Sequence, residues 1–233
     1  MKFDQPLIPG RLIRRYQRFL ADIELYDGAI VTAHCPNSGS MLSCNAPGSE
    51  VRLSFHDNPS RKYPHTWEMI MVNSTWVGIN TLVPNRLVDE AIRRKKLAEF
   101  SEYHEVIREP KVGPHSRLDL LLRAGHRHCF VEIKNVTLVE DRVALFPDAV
   151  TARGNKHLTE LMELKRQGHR AVIVFIIQRM DGQYFQPASQ IDPVYSATLW
   201  EAYRNGVEVL AYRAKVTPEA IELDRRIKTI FDQ

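Results

Sequence analysis

Three cysteines are all that 233 residues contain, and Cys35, Cys44 and Cys129 form no CxxC pair. So sparse and odd a count excludes a disulfide framework and predicts a reducing compartment, the cytosol. Long apolar runs are missing too. The longest, "AVIVFII" at 171–177, falls far short of the roughly 20 residues that cross a bilayer, so no membrane partner is expected. The opening "MKFDQPLIPG" carries an early Asp and two prolines and lacks the apolar core of a secretion signal. Internal repeats and low-complexity tracts are also absent, which excludes a repeat architecture.

What remains is ordinary globular material. An apolar fraction of 44% and a charged fraction of 26% exclude a disordered chain, and the length suffices for one large domain or two small ones. The net charge of +4 is mildly basic. It permits a nucleic-acid partner without demanding one, because clustering decides more than the total.

Turn signals crowd the first third. Asp27-Gly28 breaks "RLIRRYQRFLADIELYDGAIVTAHC" into two alternating segments, and "PNSGS", "APGSE" and "DNPSRKYP" separate "EVRLSF" and "WEMIMV". Short strands at this spacing predict a small barrel or sandwich, with an oligonucleotide-binding (OB) barrel as one compact solution. After "VPN" the pattern turns helical over "RLVDEAIRRKKLAEF", with Leu87, Ala91 and Ile92 at helical intervals and Asn85 as N-cap after Pro84. Strands follow in "YHEVIREPKV", "RLDLLLR" and "CFVEIKNVTLV". A helix comes next across "ARGNKHLTELMELKRQG", with Leu158, Leu161, Met162 and Lys165 on one face and Gly168 as its stop. "AVIVFIIQ" reads as a strand covered on both faces; the helix "YSATLWEAYRNG" and the strand "VEVLAYR" complete an α/β unit. The domains expected are 1–82 and 83–233.

Chemistry concentrates in "SRLDLLLRAGHRHCFVEIKNV" (116–136). Two apolar runs flank a break at Gly125, and each holds one carboxylate, Asp119 and Glu132, with Lys134 two residues further. Alternation puts Glu132 and Lys134 on one strand face, and a hairpin at Gly125 brings Asp119 towards Glu132. Two carboxylates so placed repel unless one is protonated or a cation neutralises them. A hard divalent cation, Mg²⁺ or else Mn²⁺, is the simplest partner, with the Ile133 carbonyl as a third oxygen. Such a site suits phosphodiester hydrolysis, with Lys134 orienting water or stabilising charge. A solvated strand face with a Glu–Lys pair accounts for the spacing equally well.

Basic candidates accompany it. Arg14, Tyr16 and Arg18, read as one face of a strand with Ile13, Phe19 and Ile23 opposite, offer cations beside an aromatic for single-stranded nucleic acid. Arg153, Lys156 and His157 stand near the start of a helix, where side chains and helix terminus together grip phosphate. Glu90 is a lesser acidic candidate, better read as a solvated helical carboxylate. "GHRHC" reads as a polar hairpin turn rather than a zinc site, and His34 with Cys35 and Cys44 is no stronger. Trp67 and Trp76 are expected inside the barrel or between the domains.

Asp119 followed by Glu132-Ile133-Lys134 resembles the PD-(D/E)XK nuclease core, with Leu118 where the motif's name carries Pro. The segments "PNSGSM", "NPSRKYPHTWEMI", "WVGINTLVPNRLVDEAI", "SRLDLLL", "FVEIKNVTL", "FPDAVTARGNKHLTEL" and "VFIIQR" together resemble the sugar fermentation stimulation protein A family over nearly the whole chain. The resemblance implies an N-terminal OB-type barrel and a C-terminal restriction-endonuclease-like α/β domain. It also implies nonspecific DNA binding and motif residues Asp119, Glu132 and Lys134; the nuclease reading leaves DNA and RNA both open as substrates. The competing reading is a non-catalytic DNA-binding factor linked to sugar, especially maltose, metabolism. Ser40 departs from the Arg expected after the "NxG" turn, which puts a phosphate contact there in doubt.

Overall fold

The computed structural model describes residues 1–113 and 116–231. Five strands build the first layer: β1 (Ile8–Tyr16), β2 (Leu20–Leu25), β3 (Ile30–His34), β4 (Glu50–Phe55) and β5 (His65–Val72). They run in the order β3-β2-β1-β4-β5, and β5 returns parallel to β3, so the sheet closes on itself as an OB-type barrel. Leu12, Ile23, Val51, Leu53 and Trp67 fill its interior. β6 (Thr75–Gly78) extends β5 as a hairpin. Trp67 is a barrel residue, whereas the half-buried Trp76 packs against the core of the second sheet.

The first hairpin corrects the sequence reading. "RLIRRYQRFLADIEL" is two strands, reversed through Gln17 and Arg18 in left-handed conformation (φ 49° and 62°). Leu12 pairs with Ile23 but Arg14 with Asp22, leaving Ile13 as the extra residue of a bulge. A bulge resets the inside–outside alternation. Ile13 (38% exposed) and Phe19 (47%) therefore face outward, and of the three residues expected inside only Ile23 is buried.

The remaining residues form a nine-stranded mixed sheet. Its strands are β7 (Glu105–Arg108), β8 (Leu120–Ala124), β9 (Arg127–Val136), β10 (Leu138–Glu140), β11 (Val143–Phe146), β12 (Arg170–Ile177), β13 (Tyr184–Pro187), β14 (Glu208–Val216) and β15 (Ile221–Thr229). They are ordered β10-β11-β13-β15-β14-β12-β9-β8-β7, with β9, β12 and β14 parallel at the centre. Helix α1 (Val83–Arg93) covers one face through Leu87, Val88, Ala91 and Ile92. Helices α2 (Ala152–Arg166) and α3 (Pro193–Arg204) cover the other through Leu158, Leu161, Tyr195 and Leu199. Burial on both faces explains why β12 is continuously apolar. Lys165 is not on the core face of α2, which Leu164 and Met162 flank instead.

Helix α1 starts earlier than Asn85 as N-cap requires. Its cap is Leu82, and Pro84 falls in the first turn, where a fixed φ and a missing N–H cost nothing. That moves Asn85 into the helix and frees its side chain. The helix also stops at Arg93, and Ala98–Phe100 form a separate 3₁₀ turn.

Loop and strand contacts weld barrel to sheet. Gly78 N–H donates to the Gln178 carbonyl (2.9 Å), Ser40 Oγ to the Asp148 carbonyl (2.6 Å) and Met41 N–H to Asp148 Oδ2 (2.8 Å). All three cysteines are buried free thiols. Among the described residues no helix is long and apolar enough to cross a membrane.

Candidate functional site

The hairpin read from Gly125 forms as expected. Gly125 takes a positive φ of 60°, Ala124 pairs with Arg127, and Leu120 pairs with Val131. Asp119 thus stands just before β8, beside the stretch of β9 that carries Glu132. Its carboxylate is anchored at both oxygens: Oδ2 accepts the Ile133 backbone N–H and Oδ1 the Asn85 amide, each at 2.7 Å.

Glu132 is buried, its side chain 3% exposed. Its Oε1 accepts a hydrogen bond from Lys134 Nζ at 2.5 Å and another from His157 Nδ1. A carboxylate oxygen only accepts, so the imidazole proton sits on Nδ1. The 3.4 Å approach of Lys134 Nζ to that same Nδ1 then sets two donors side by side rather than bonded. The second oxygen, Oε2, is buried without a hydrogen-bond partner.

Burial, then the Glu132 charge, pushes the Asp119 carboxyl up to about 6, against the opposing pull of the Ile133 N–H. At Glu132 burial also pushes upward, but the His157 hydrogen bond and the Lys134 charge outweigh it and hold the group below its usual range. Two neighbouring acids are thereby driven apart, one firmly ionised and one titrating near neutrality. Beneath them the Tyr195 hydroxyl, fully enclosed and unpartnered, is held well above the phenol range by burial and then by the Glu132 charge.

These groups open into a cleft of about 660 Å³ between barrel and sheet. Its barrel wall is the loop Asn37–Ser40, which Arg15 holds by donating to the carbonyls of Asn37 (2.8 Å), Gly39 (3.0 Å) and Ser40 (3.3 Å). The opposite wall includes the first turn of α2, capped by Thr151, whose hydroxyl accepts the Gly154 N–H at 3.0 Å.

Asp119, Glu132, Lys134, Arg153, His157 and Arg18 all line this cleft. Arg14, Tyr16 and Lys156 lie outside that lining. Arg14 pairs with Asp22 at 2.9 Å and stacks 5.0 Å over the Tyr16 ring, while Tyr16 Oη donates to Asp22 at 3.0 Å. Lys156 lies 3.9 Å from Glu160. Glu90 pairs with Arg94 at 2.6 Å, away from the acids.

The donor set suits a hard cation and not zinc. Among the described residues no three His, Cys, Asp or Glu side chains gather as a metal-binding group. Two carboxylates leave most of a magnesium-like coordination sphere to water and phosphate oxygens, which is that ion's habit. The orphaned Glu132 Oε2 is the atom that fits such an ion.

Sequence reasoning missed three residues. Asn85, read as a cap, holds Asp119. Arg15, one of four arginines in a row of ten residues, fixes the cleft loop. Asp148 ties that loop to the sheet, and Ser40, where the resemblance led us to expect Arg, is one of its two partners.

Comparison with known proteins bears on the whole chain. A family described as SfsA N-terminal OB domain matches residues 13–79, and one described as Sugar fermentation stimulation protein RE domain matches residues 82–220. The sugar fermentation stimulation protein homolog of Citrifermentans bemidjiense is 57% identical over 231 residues, covering 99% of this chain and 100% of its own. That of Geobacter sulfurreducens is 56% identical over 230 residues, covering 99% of both chains. The structure of Pyrococcus furiosus SfsA in complex with Ca²⁺ superposes with a TM-score of 0.90 at 28% identity, over 99% of this chain and 98% of that one.

Proposed function

The chain belongs to the sugar fermentation stimulation protein family, and from that premise we propose that it binds DNA in the cleft and hydrolyses its phosphodiester bonds with Mg²⁺ or Mn²⁺. The observation that carries this reading is the pair Asp119 and Glu132, side by side with Lys134, one buried oxygen of the pair unpartnered. The Ca²⁺ complex of the Pyrococcus furiosus relative supports a divalent ion among these oxygens, since calcium and magnesium share that preference.

Asp119 and Glu132 would hold the ion, which supplies Lewis-acid polarisation of a phosphoryl oxygen and acidifies water. Asn85 and the Ile133 N–H keep Asp119 aimed, and His157 keeps Glu132 ionised. Lys134 orients the attacking water and offsets charge as the phosphorus becomes five-coordinate. Arg153 and the α2 N-terminus meet the neighbouring phosphate. Arg18 and the barrel loop guide the strand into place. RNA offers the same backbone chemistry and is the second substrate to test.

Incubating wild type, Asp119→Ala and Lys134→Ala with single- and double-stranded DNA and RNA in Mg²⁺ or Mn²⁺ tests this. Wild type should cut, and each variant should lose at least about a hundredfold in rate. Binding without cleavage in either metal would sink the enzyme and leave a non-catalytic DNA-binding factor.

A further inference from the structure

A second concavity, about 620 Å³, runs along α1 outside the cleft. Its walls are almost wholly charged. Lys2, Arg86, Arg93, Arg94 and Arg108 stand against Asp89 and Glu90, a surplus of three positive side chains in a chain whose net charge is +4. The cleft has no comparable surplus: Arg15, Arg18, Lys134 and Arg153 there nearly balance Asp119, Glu132 and Asp148. The groove therefore offers a polyanion a larger local excess of positive side chains than the cleft does.

The groove is also built rather than merely basic. Asp89 is buried, its side chain 4% exposed, and it clamps two guanidinium groups from different elements, Arg93 of α1 at 2.9 Å and Arg108 of β7. Two like charges are thereby held close together while both side chains stay at least half exposed, and each retains N–H donors beyond those that Asp89 uses. Planar guanidinium forks set this way match the oxygens of a phosphate. The side chains of Arg86 and Lys2, both exposed, make no hydrogen bond or ion pair with any of the described residues, so their charge is available to a ligand.

We infer that this groove is a phosphate-binding site and that it grips the backbone of nucleic acid engaged at the cleft. The first statement stands on the groove alone; the second rests on the proposed function. Helix α1 joins the two places, since Asn85 lines the cleft and its neighbour Arg86 lines the groove.

The test uses the full chain in EDTA, so that cleavage cannot intervene. Binding of a fluorescent DNA duplex is titrated over a salt range for wild type, the double variant Lys2→Glu/Arg86→Glu, and Arg86→Lys. The double variant should bind about tenfold more weakly at low salt, with the slope of log affinity against log salt reduced by about 2. Arg86→Lys should keep the slope. Sodium pyrophosphate should raise the melting temperature of wild type and not of the double variant, whose own melting temperature reports an intact fold. An unchanged slope with an unchanged pyrophosphate response overturns the site. A lost pyrophosphate response with an unchanged slope overturns the nucleic-acid assignment and leaves a site for free phosphate. Groove-dependent DNA binding by a wild type that never cuts would sink the nuclease reading and leave the groove standing.

Discussion

Asp119 shows how much one side chain can report. Its carboxyl titrates near 6 in the folded protein because of burial and the adjacent Glu132 charge, against about 3.9 in an unfolded chain. Between those values the folded state holds a proton that the unfolded state has lost, so the metal-free protein loses stability as pH rises through the window. The stability difference between wild type and Asp119→Ala, measured by denaturant melts in EDTA, should shift against wild type by about 2–3 kcal/mol from pH 4 to pH 7. Added Mg²⁺ should reverse the trend, because a cation favours the ionised pair. Asn85 is a positioning residue on the same carboxylate. Asn85→Ala should weaken Mg²⁺ binding by at least about tenfold in calorimetry, while Asn85→Asp should not restore it, since a second acid cannot donate to Oδ1.

Elements place those residues, and their legibility differed for physical reasons. The β8–β9 hairpin and the buried β12 were readable, because Gly125 supplies the turn and apolar runs mark the strands. The β1–β2 reversal was not, since Gln17 and Arg18 take left-handed angles without the glycine or asparagine that usually announces them. β13 is only four residues long, and in β15 the alternation that starts at Ile221 and Leu223 is interrupted by Asp224, Arg225 and Arg226 before Ile227, so neither stands out as a strand. Asn85 was visible as a residue type but assigned the wrong task, because Pro84 shifted the helix start. Within α2, Gly154 allows close approach to α3: a Cβ there would come within 2.8 Å of Thr151 Cγ2 and 2.9 Å of Tyr195 Cε2. Gly154→Ala should therefore cost about 1–3 kcal/mol despite its better helix propensity. A circular-dichroism melt would measure the loss, and unaltered stability would show that α2 and α3 can separate without penalty.

Across the whole molecule, the barrel and the sheet meet at Asp148, which accepts the Met41 N–H while its carbonyl accepts Ser40 Oγ. Asp148→Ala should leave the Met41 N–H unpaired at a cost of about 1–3 kcal/mol. Proteolysis should then nick the 37–45 loop sooner than in wild type; an unchanged cleavage pattern would mean that Arg15 and the Ser40 bond to the residue-148 carbonyl suffice to hold it. The anchoring of Asp119 to the amide of Ile133 has a wider consequence. One acid is tied to the very chain segment that bears the other, and that segment is zipped between β8 and β12. Heating should therefore leave the carboxylate spacing intact until those ladders part, so that the surroundings of the two acids and the fold are lost together at a single temperature instead of the pair going slack first.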